Sequence, residues 1–424
     1  MILNDPSSLA IVAIAALTAL GLLVRPFRWP EAVWAVLAAA VLVLCGLIAW
    51  RSAYAGVAKG LDVYLFLIGM MLISDIARKE GLFDWLAAIA TGHAQGSPRR
   101  LFVLIYLVGV LVTVFMSNDA TAVVLTPAVY AACKAAKVRD PFPYMLICAF
   151  IANAASFVLP ISNPANLVIF SGGHMPALGT WFSMFALPSV VSIVVTFAAL
   201  YMTQRKAIAQ DNISTEVEAV HLSHGAKIAG LGLIVTAVAL LIASALDFDL
   251  GWPTFIAGFA TLALVSLFNR ENPVGYMKEI SWSVLPLVAG LFVVVEALGQ
   301  TGMIHSLAAT LNAYAASDPK TTVMGAGIAT GLIANIVNNL PAGLVAGSVV
   351  NTAHASPAIS AAVLIGIDLG PNLSITGSLA TILWINALRR EGIEVGFWRF
   401  LTIGFVVMVP ALLATLASVA LLAG

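Results

Sequence analysis

Long runs of apolar residues recur along the whole chain, separated by short polar stretches. The first run covers residues 9–24 and the last covers residues 401–422, and runs of this kind are typical of helices that cross a bilayer. Of the 424 residues, 61% are hydrophobic and 9% are charged, whereas soluble domains have about 25% charged residues. The pattern predicts an all-α polytopic membrane protein with about ten crossings.

The chain also repeats itself across one long polar interruption, at residues 203–224, which divides it nearly in half. Gly69 and Asp75 in the first half recur as Gly290 and Glu296 in the second half, 221 positions later in both cases. Internal repeats of this size are a common feature of membrane transporters. The sequence therefore predicts two homologous structural units joined by a polar linker.

Each half contains one apolar segment that is interrupted in its middle, at about residues 101–134 and about residues 320–352. The interruptions are Ser117-Asn118-Asp119 and Asn338-Asn339-Leu340-Pro341. Each segment can cross once as a kinked helix or return as a re-entrant hairpin. Short cytoplasmic loops accumulate Lys and Arg. Two crossings would leave six of the 20 basic residues outside, whereas two hairpins leave only Arg51, Lys59 and Lys320 there, so the hairpins are favoured.

Five crossings and one hairpin in each half give an odd number of crossings, so the second half is inverted relative to the first. The predicted fold has two inverted-topology repeats, residues 1–202 (TM1–TM5) and 225–424 (TM6–TM10), with a cytoplasmic linker at 203–224 and both termini outside the cytoplasm. The fourth and ninth crossings, near residues 142–172 and 357–388, contain polar breaks of their own. We therefore expect broken helices at the midplane of the membrane.

The four polar breaks predict one shared cavity. Non-helical backbone persists at membrane depth only where protein or a water-filled cavity satisfies its polar groups. The predicted substrate-binding residues are the neutral polar side chains of the breaks: Ser117, Asn118, Ser162, Asn163, Asn166, Asn338, Asn339, Asn372 and Thr376. The alternative interpretation is that these Ser and Asn residues only cap helix ends.

Two acidic residues, Asp119 and Asp368, lie directly beside the breaks. A charged side chain at the centre of a membrane helix costs roughly 2.5–3.5 kcal/mol, and such residues usually face the interior and act on ions. Asp119 and Asp368 are therefore the predicted proton-coupling residues. Asp75 and Glu296 lie nearer to helix ends. They are interpreted either as cap or interface residues or as coupling residues, and the sequence favours neither.

The sequence predicts no catalytic residues, no metal site and no cofactor. Cys45, Cys133 and Cys148 are scattered, without the paired spacing of a disulfide framework or a zinc site. No Ser-His or Cys-His pair is placed at membrane depth, and no Gly-rich nucleotide-binding loop precedes Lys-Ser or Lys-Thr. The chain is therefore predicted to be a secondary transporter and not an enzyme.

The segment from Gly366 to Trp384 resembles the most characteristic segment of the ArsB-type arsenite efflux pumps. Its motifs are Gly366-Ile367-Asp368-Leu369-Gly370-Pro371-Asn372 and Thr376-Gly377-Ser378-Leu379-Ala380-Thr381-Ile382-Leu383-Trp384. The breaks at residues 117–119 and 338–341 resemble other polar signatures of that family. The resemblance covers nearly the whole chain.

The resemblance implies the ion transporter superfamily fold and export of arsenite and antimonite from a bacterial-type inner (plasma) membrane. Members are thought to exchange their substrate for protons, and some associate with a soluble arsenite-stimulated ATPase. The implied partners are thus arsenite or antimonite, protons and that ATPase, and no nucleic acid is implied.

The chemistry of the breaks allows more than one substrate. Arsenous acid is a small, largely uncharged trihydroxide, so hydroxyl and amide groups can bind it without a fixed cation. A trap made of three cysteine thiolates is the alternative. The absence of basic residues near the breaks counts against a dicarboxylate, although helix dipoles can also hold an anion. A sodium-coupled dicarboxylate carrier or a sodium/proton antiporter of the same superfamily therefore remains an alternative.

Overall fold

The computed structural model describes residues 5–170, 175–211, 213–214, 221–278 and 280–422. Within these ranges every element of regular secondary structure is helical. The α-helices are α1 (Pro6–Val24), α2 (Glu31–Leu44), α3 (Trp50–Lys59), α4 (Leu61–Lys79), α5 (Leu82–His93), α6 (Pro98–Phe115), α7 (Asn118–Ala120), α8 (Thr126–Ala135), α9 (Phe142–Ala154), α10 (Pro164–Phe170), α11 (Leu178–Ala209), α12 (His224–Ala245), α13 (Gly251–Asn269), α14 (Val274–Met277), α15 (Val284–Gln300), α16 (Met303–Ser317), α17 (Pro319–Val337), α18 (Asn339–Thr352), α19 (Pro357–Leu369), α20 (Leu379–Arg390) and α21 (Phe397–Leu422). A π-helical stretch, Thr121–Leu125, joins α7 to α8.

Seven helices of the described chain are long and apolar enough to cross a bilayer, or up to nine if two bent helix pairs each count as one crossing. The bent pairs are α3 with α4, at 44°, and α15 with α16, at 73°. The predicted crossings near residues 142–172 and 357–388 contain shorter apolar helices because each is interrupted. The all-α polytopic class predicted from the apolar runs is confirmed.

The same order of helices occurs in both halves. In each half a helix (α4, α15) is followed after a two-residue turn by a second helix (α5, α16), which precedes a helix, a polar break and a further helix. Gly81 and Gly302 occupy these turns with φ angles of 80° and 77°, a conformation that a side chain disfavours. The sequence pattern did not predict α5 and α16 as separate helices.

The interrupted segments extend over Pro98–Ala135 and Pro319–Thr352, close to the hairpins expected at about 101–134 and about 320–352. Together with the repeated helix order, they confirm the fold class of two inverted repeats, each with five membrane helices and a re-entrant hairpin. The boundaries of the two repeats stay a prediction, because α11 continues to Ala209, inside the expected linker.

The start of each half packs against the other half. Helix α13 lies along α4, and the equivalent helix α2 lies along α15. Both contacts depend on the glycines that recur in the sequence. A Cβ atom on Gly69 would lie 2.2 Å from the Thr254 carbonyl oxygen, and one on Gly290 would lie 2.6 Å from the Ala35 carbonyl oxygen. The repeated glycines therefore allow the backbones of the two halves to touch.

A similar backbone contact holds α17 against the end of α19. A Cβ atom on Gly370 would lie 2.4 Å from the Cα atom of Gly331, a distance at which one backbone must move. We expect Gly370→Ala to lower the thermal stability of the purified protein in detergent, because overpacking costs about 1–3 kcal/mol. The matched control is Gly325→Ala on α17, where a Cβ atom meets nothing within 4 Å and stability should not fall. Equal melting temperatures for both variants would contradict this interpretation of the contact.

The orientation of the protein in the membrane can be tested at two exposed positions. We expect the Ser7→Cys variant to be labelled by an impermeant maleimide in intact cells, and the His221→Cys variant to be labelled only after permeabilisation. Both variants should carry Cys45→Ser, because Cys45 is exposed, whereas Cys133 and Cys148 are buried. Labelling of the 221 variant alone in intact cells would reverse the topology.

Candidate substrate site

The polar breaks meet around one small cavity between the two halves. The cavity is lined by residues at the start of four helices, α7, α10, α18 and α20, and by apolar side chains from the first two turns of α4 and α15. Its polar side chains are those of Asn118, Asp119, Asn163 and Asn339. Two of the four helix ends come from each half, so the cavity lies where the repeats face each other.

Side chains of the breaks determine where these four helices begin. The capping atoms are Ser117 Oγ, Asn163 Oδ1, Asn338 Oδ1 and Ser378 Oγ, which accept hydrogen bonds from the backbone N–H groups of Ala120, Ala165, Leu340 and Thr381 at 3.1, 3.0, 3.4 and 3.1 Å, respectively. Each cap satisfies one N–H group that a helix start leaves without an intrahelical partner. Ser117 and Asn338 thus occupy capping positions, as the alternative interpretation of the sequence allowed.

The electrostatic environment of the cavity comes from helix dipoles and one carboxyl group. Each helix N-terminus carries a partial positive charge, and four of them point towards the same space. Among the described residues that line the cavity, none is Lys or Arg, and Asp119 is the only ionisable one. Asp119 is partly exposed as a residue, and its carboxyl group makes no hydrogen bond or ion pair with another described residue. Asp119 is therefore available to a ligand or a proton.

The neutral groups of the cavity differ in the hydrogen bonds that they already make. Asn339 Oδ1 is buried without a hydrogen-bond partner in the described part of the chain. Asn118 Oδ1 accepts the backbone N–H of Asp119 at 2.9 Å. Asn163 Nδ2 donates one of its hydrogens to Asp368 at 2.9 Å and has a second one to offer. The cavity thus presents an amide acceptor, a carboxylate acceptor and an amide donor.

Asp368 and Asn372 lie behind the cavity, among the residues of the first repeat. Asp368 is fully buried and accepts hydrogen bonds from Ser156 Oγ at 2.7 Å and from Asn163 Nδ2 at 2.9 Å. Asn372 Oδ1 accepts from Asn153 Nδ2 at 2.9 Å, and its own Nδ2 donates to the Phe150 carbonyl oxygen at 2.9 Å. These contacts join the broken helix of one half to that of the other.

The remaining predicted site residues donate to backbone carbonyl groups of the breaks and of the neighbouring helices α6 and α17. Ser162 Oγ donates to the Val114 carbonyl oxygen at 2.8 Å, and Asn166 Nδ2 donates to that of Ser156 at 2.9 Å. Thr376 Oγ1 donates to the Asn335 carbonyl oxygen at 3.2 Å. Of the nine neutral residues predicted to bind substrate, the structure therefore places Asn118, Asn163 and Asn339 at the cavity. Their roles, like those of the other six, stay predictions.

The sequence pattern did not predict four polar residues of this network: Asn153, Ser156, Asn335 and Ser374. Asn335 Nδ2 donates to the carbonyl oxygens of Gly331 at 2.7 Å and Gly370 at 2.9 Å, and Ser374 Oγ donates to Asn335 Oδ1 at 2.7 Å. Three of them lie on the approach to a break and not in the break itself. The sequence feature that could have indicated them is a lone Asn or Ser within an otherwise apolar run.

Two other groups of candidates lie away from the cavity. Asp75 pairs with Arg78 at 3.2 Å, and Glu296 pairs with Lys59 at 2.7 Å. Neither Asp75 nor Glu296 lines the cavity, which favours the interface interpretation. None of the cysteines Cys45, Cys133 and Cys148 lines the cavity either.

The size of the cavity limits what it holds in this conformation. Its volume open to water-sized molecules is about 20 Å³, which is room for roughly one water molecule. A substrate with three hydroxyl groups needs more space. Entry of such a substrate must therefore separate the helix ends that surround the cavity.

Comparison with known proteins agrees with the helix arrangement and with the polar motifs. The profile of the CitMHS family, described as citrate transporter, matches residues 13–368. The arsenical pump membrane protein of Escherichia coli (strain K12) is 27% identical over 369 residues, covering 84% of this chain and 85% of that protein. The arsenical pump membrane protein of Yersinia enterocolitica is 29% identical over 367 residues, with the same coverage.

A solved structure shares the fold. The crystal structure of the Alcanivorax borkumensis YdaH transporter, whose title describes an unusual topology, superposes with a TM-score of 0.62 and covers 98% of both chains. Its sequence is 15% identical, so the likeness shows the fold alone.

The fold, the central cavity and these similarities define a multi-pass membrane transporter of the ion transporter superfamily. The chain belongs to the CitMHS family, whose profile covers most of its length. The resemblance to arsenical pumps that the motifs of the second half indicated is confirmed by the similarity to the two arsenical pump proteins.

Proposed function

We propose that this protein is a secondary active transporter that exports arsenite and antimonite in exchange for protons. The observation that carries the proposal is the composition of the cavity, whose described lining offers neutral amide groups, one carboxyl group and no basic side chain. The names of the arsenical pump relatives support the same substrate. The proposal also includes a soluble arsenite-stimulated ATPase as a further partner.

Arsenous acid matches the hydrogen-bonding groups of the cavity. Its hydroxyl groups can donate to the unpaired Asn339 Oδ1 and to the Asp119 carboxylate, while its oxygens accept from Asn163 Nδ2. A buried acceptor without a partner costs about 1–3 kcal/mol, and a bound hydroxyl group removes that cost. The ionised carboxylate groups of a dicarboxylate have no donor for Asn339 Oδ1 and would be repelled by an ionised Asp119.

Asp119 can couple substrate and proton because the two would compete for the same oxygen atoms. On the cytoplasmic side the ionised carboxylate accepts a hydrogen bond from a substrate hydroxyl group. On the outer side a proton binds to the carboxylate and weakens it as an acceptor, so that the substrate leaves. The proton is released when the site faces the cytoplasm again. Export in one direction then accompanies proton entry in the other.

A sodium-coupled dicarboxylate carrier is the second candidate, because four helix N-termini surround the cavity and can stabilise an anion. The family description, citrate transporter, also favours it. The two candidates differ in the ion on which transport depends.

Transport by everted membrane vesicles distinguishes the two candidates and tests Asp119. We expect vesicles with an acidic lumen to accumulate arsenite without sodium, and antimonite to compete. Asp119→Asn should reduce this accumulation to the level of vesicles without the protein, because an amide cannot take up the proton. The matched control is Asp75→Asn, another carboxylate within a membrane helix, which should keep the response to the pH gradient. Sodium-dependent uptake of citrate, with no transport of arsenite, would establish the second candidate instead.

A substitution at Asn339 distinguishes an effect on substrate binding from an effect on folding. Asn339→Leu removes a buried amide oxygen that has no hydrogen-bond partner among the described residues, so we expect the thermal stability of the protein to be unchanged or higher. The same change removes an acceptor for the substrate, and the apparent affinity for arsenite should fall about five- to 150-fold. Concentration-dependent uptake and thermal unfolding in detergent measure the two effects.

A variant with Cys45→Ser, Cys133→Ala and Cys148→Ala is the control for the thiolate alternative. It should still export arsenite, because none of the three cysteines lines the cavity. An inactive cysteine-free protein that inserts normally, together with an active Asn339→Leu variant, would contradict the proposed site.

A further inference from the structure

Asp368 is a fully buried carboxyl group whose hydrogen-bond partners are both neutral. It lies near the end of α19 in the second half, yet both partners belong to the first half. Ser156 Oγ donates to one carboxyl oxygen and Asn163 Nδ2 donates to the other. A carboxylate suits this position because both of its oxygens can accept a hydrogen bond. The amide of Asn, which has the same size, has only one acceptor oxygen.

The contact with Asp368 fixes the amide group of Asn163. The Oδ1 atom of Asn163 accepts the backbone N–H of Ala165 at 3.0 Å, and one Nδ2 hydrogen is donated to Asp368 at 2.9 Å. Both ends of the amide are therefore held, and the amide cannot flip without losing both bonds. The second Nδ2 hydrogen is left for the cavity, which Asn163 lines.

The equivalent position in the first half supports a structural purpose for this contact. Asn153 is the second-to-last residue of α9, and Asp368 is the second-to-last residue of α19. Asn153 Nδ2 also reaches across to the other half, where it donates to Asn372 at 2.9 Å. Each half therefore extends one polar side chain behind the cavity to hold the break of the other half, and Asp368 is one of this pair.

We propose that Asp368 is a positioning residue: it orients the Asn163 amide so that its free N–H faces the substrate, and it does not carry the coupled proton. This inference rests on the proposed function, in which Asp119 carries that proton. It assigns different tasks to the two carboxyl groups that the sequence placed beside the breaks.

The hydrogen bonds around Ser156 make the inference testable by an isosteric change. Ser156 Oγ has one hydrogen and two acceptors within reach, the Asn153 carbonyl oxygen at 2.8 Å and Asp368 at 2.7 Å. In Asp368→Asn the new Nδ2 can donate to Ser156 Oγ, Ser156 can donate to Asn153, and Oδ1 still accepts from Asn163. The amide therefore preserves the orientation of Asn163, although it cannot carry a proton. Leucine at the same position preserves the volume and loses the contact.

The experiment measures arsenite uptake into everted vesicles for Asp368→Asn, Asp368→Leu, Asn163→Leu and the Asp368→Leu/Asn163→Leu double variant. Asp368→Asn should keep a KM within about threefold of the unmodified protein and the same pH profile. Asp368→Leu and Asn163→Leu should each raise KM about tenfold, as expected for one lost hydrogen bond. The double variant should be no worse than either single variant, because both changes remove the same interaction.

Two results would overturn the inference. One is an Asp368→Asn variant that inserts normally and no longer responds to the pH gradient, since Asp368 would then carry the proton. The other is a double variant whose losses multiply, since Asp368 would then act independently of Asn163. If Asp368→Leu does not fold, the pH profile of Asp368→Asn still decides the first point. Failure of the proposed function itself would appear in the unmodified protein, as absent arsenite transport, and the same variants could then be measured with citrate.

Discussion

The structure depends on one constraint, the need to satisfy backbone polar groups where a helix is interrupted inside the membrane. Four helices begin within the protein, and each beginning exposes N–H groups that have no partner in the helix itself. Ser117, Asn163, Asn338 and Ser378 satisfy one N–H group each. Because the caps fix the helix ends around one space, the same arrangement provides a polar cavity and a set of dipoles directed into it.

The two halves are alike in backbone and different in charge. Repeated glycines allow α13 to lie on α4 and α2 to lie on α15, so the halves interlock reciprocally. Asp119, however, corresponds to Leu340 at the spacing of 221 positions, and Asp368 corresponds to Asn153 at the ends of the equivalent helices. The repeat thus builds the cavity, while the residues that break the repeat provide one carboxyl group in the cavity, Asp119, and one behind it, Asp368. A site with one carboxyl group exposed to the cavity can bind one proton without a symmetric competitor.

The surroundings of the polar residues separate those with unused hydrogen-bonding atoms at the cavity from those that hold the breaks together. Asn339 and Asp119 have unused acceptor atoms at the cavity, so a ligand can bind there without breaking an existing bond. Asn372 and Ser162 use their groups on backbone carbonyls and neighbouring side chains. Asn166 Nδ2 also donates to a backbone carbonyl, while Asn166 Oδ1 is buried without a partner among the described residues and does not line the cavity. In the proposed site, changes at the first group are expected to act on the ligand, and changes at the second on the shape of the breaks.

The sequence by itself determined the class of fold and the location of the breaks. Apolar runs of fixed length reflect the thickness of the membrane, and the hairpins expected at about 101–134 and about 320–352 lie close to Pro98–Ala135 and Pro319–Thr352. These features are local, so they can be found without knowing what a residue touches. The helices α5 and α16 were missed, because glycine turns and not polar breaks separate them from α4 and α15.

Only the tertiary structure decided which polar side chains reach the cavity. Asn163 and Asn166 lie three positions apart in one break, yet the first lines the cavity and the second holds a backbone carbonyl group. That choice depends on how each short helix is rotated and on partners such as Ser156, which lies 212 positions from Asp368. Contacts between the halves fix these rotations, and no pattern within one half contains them.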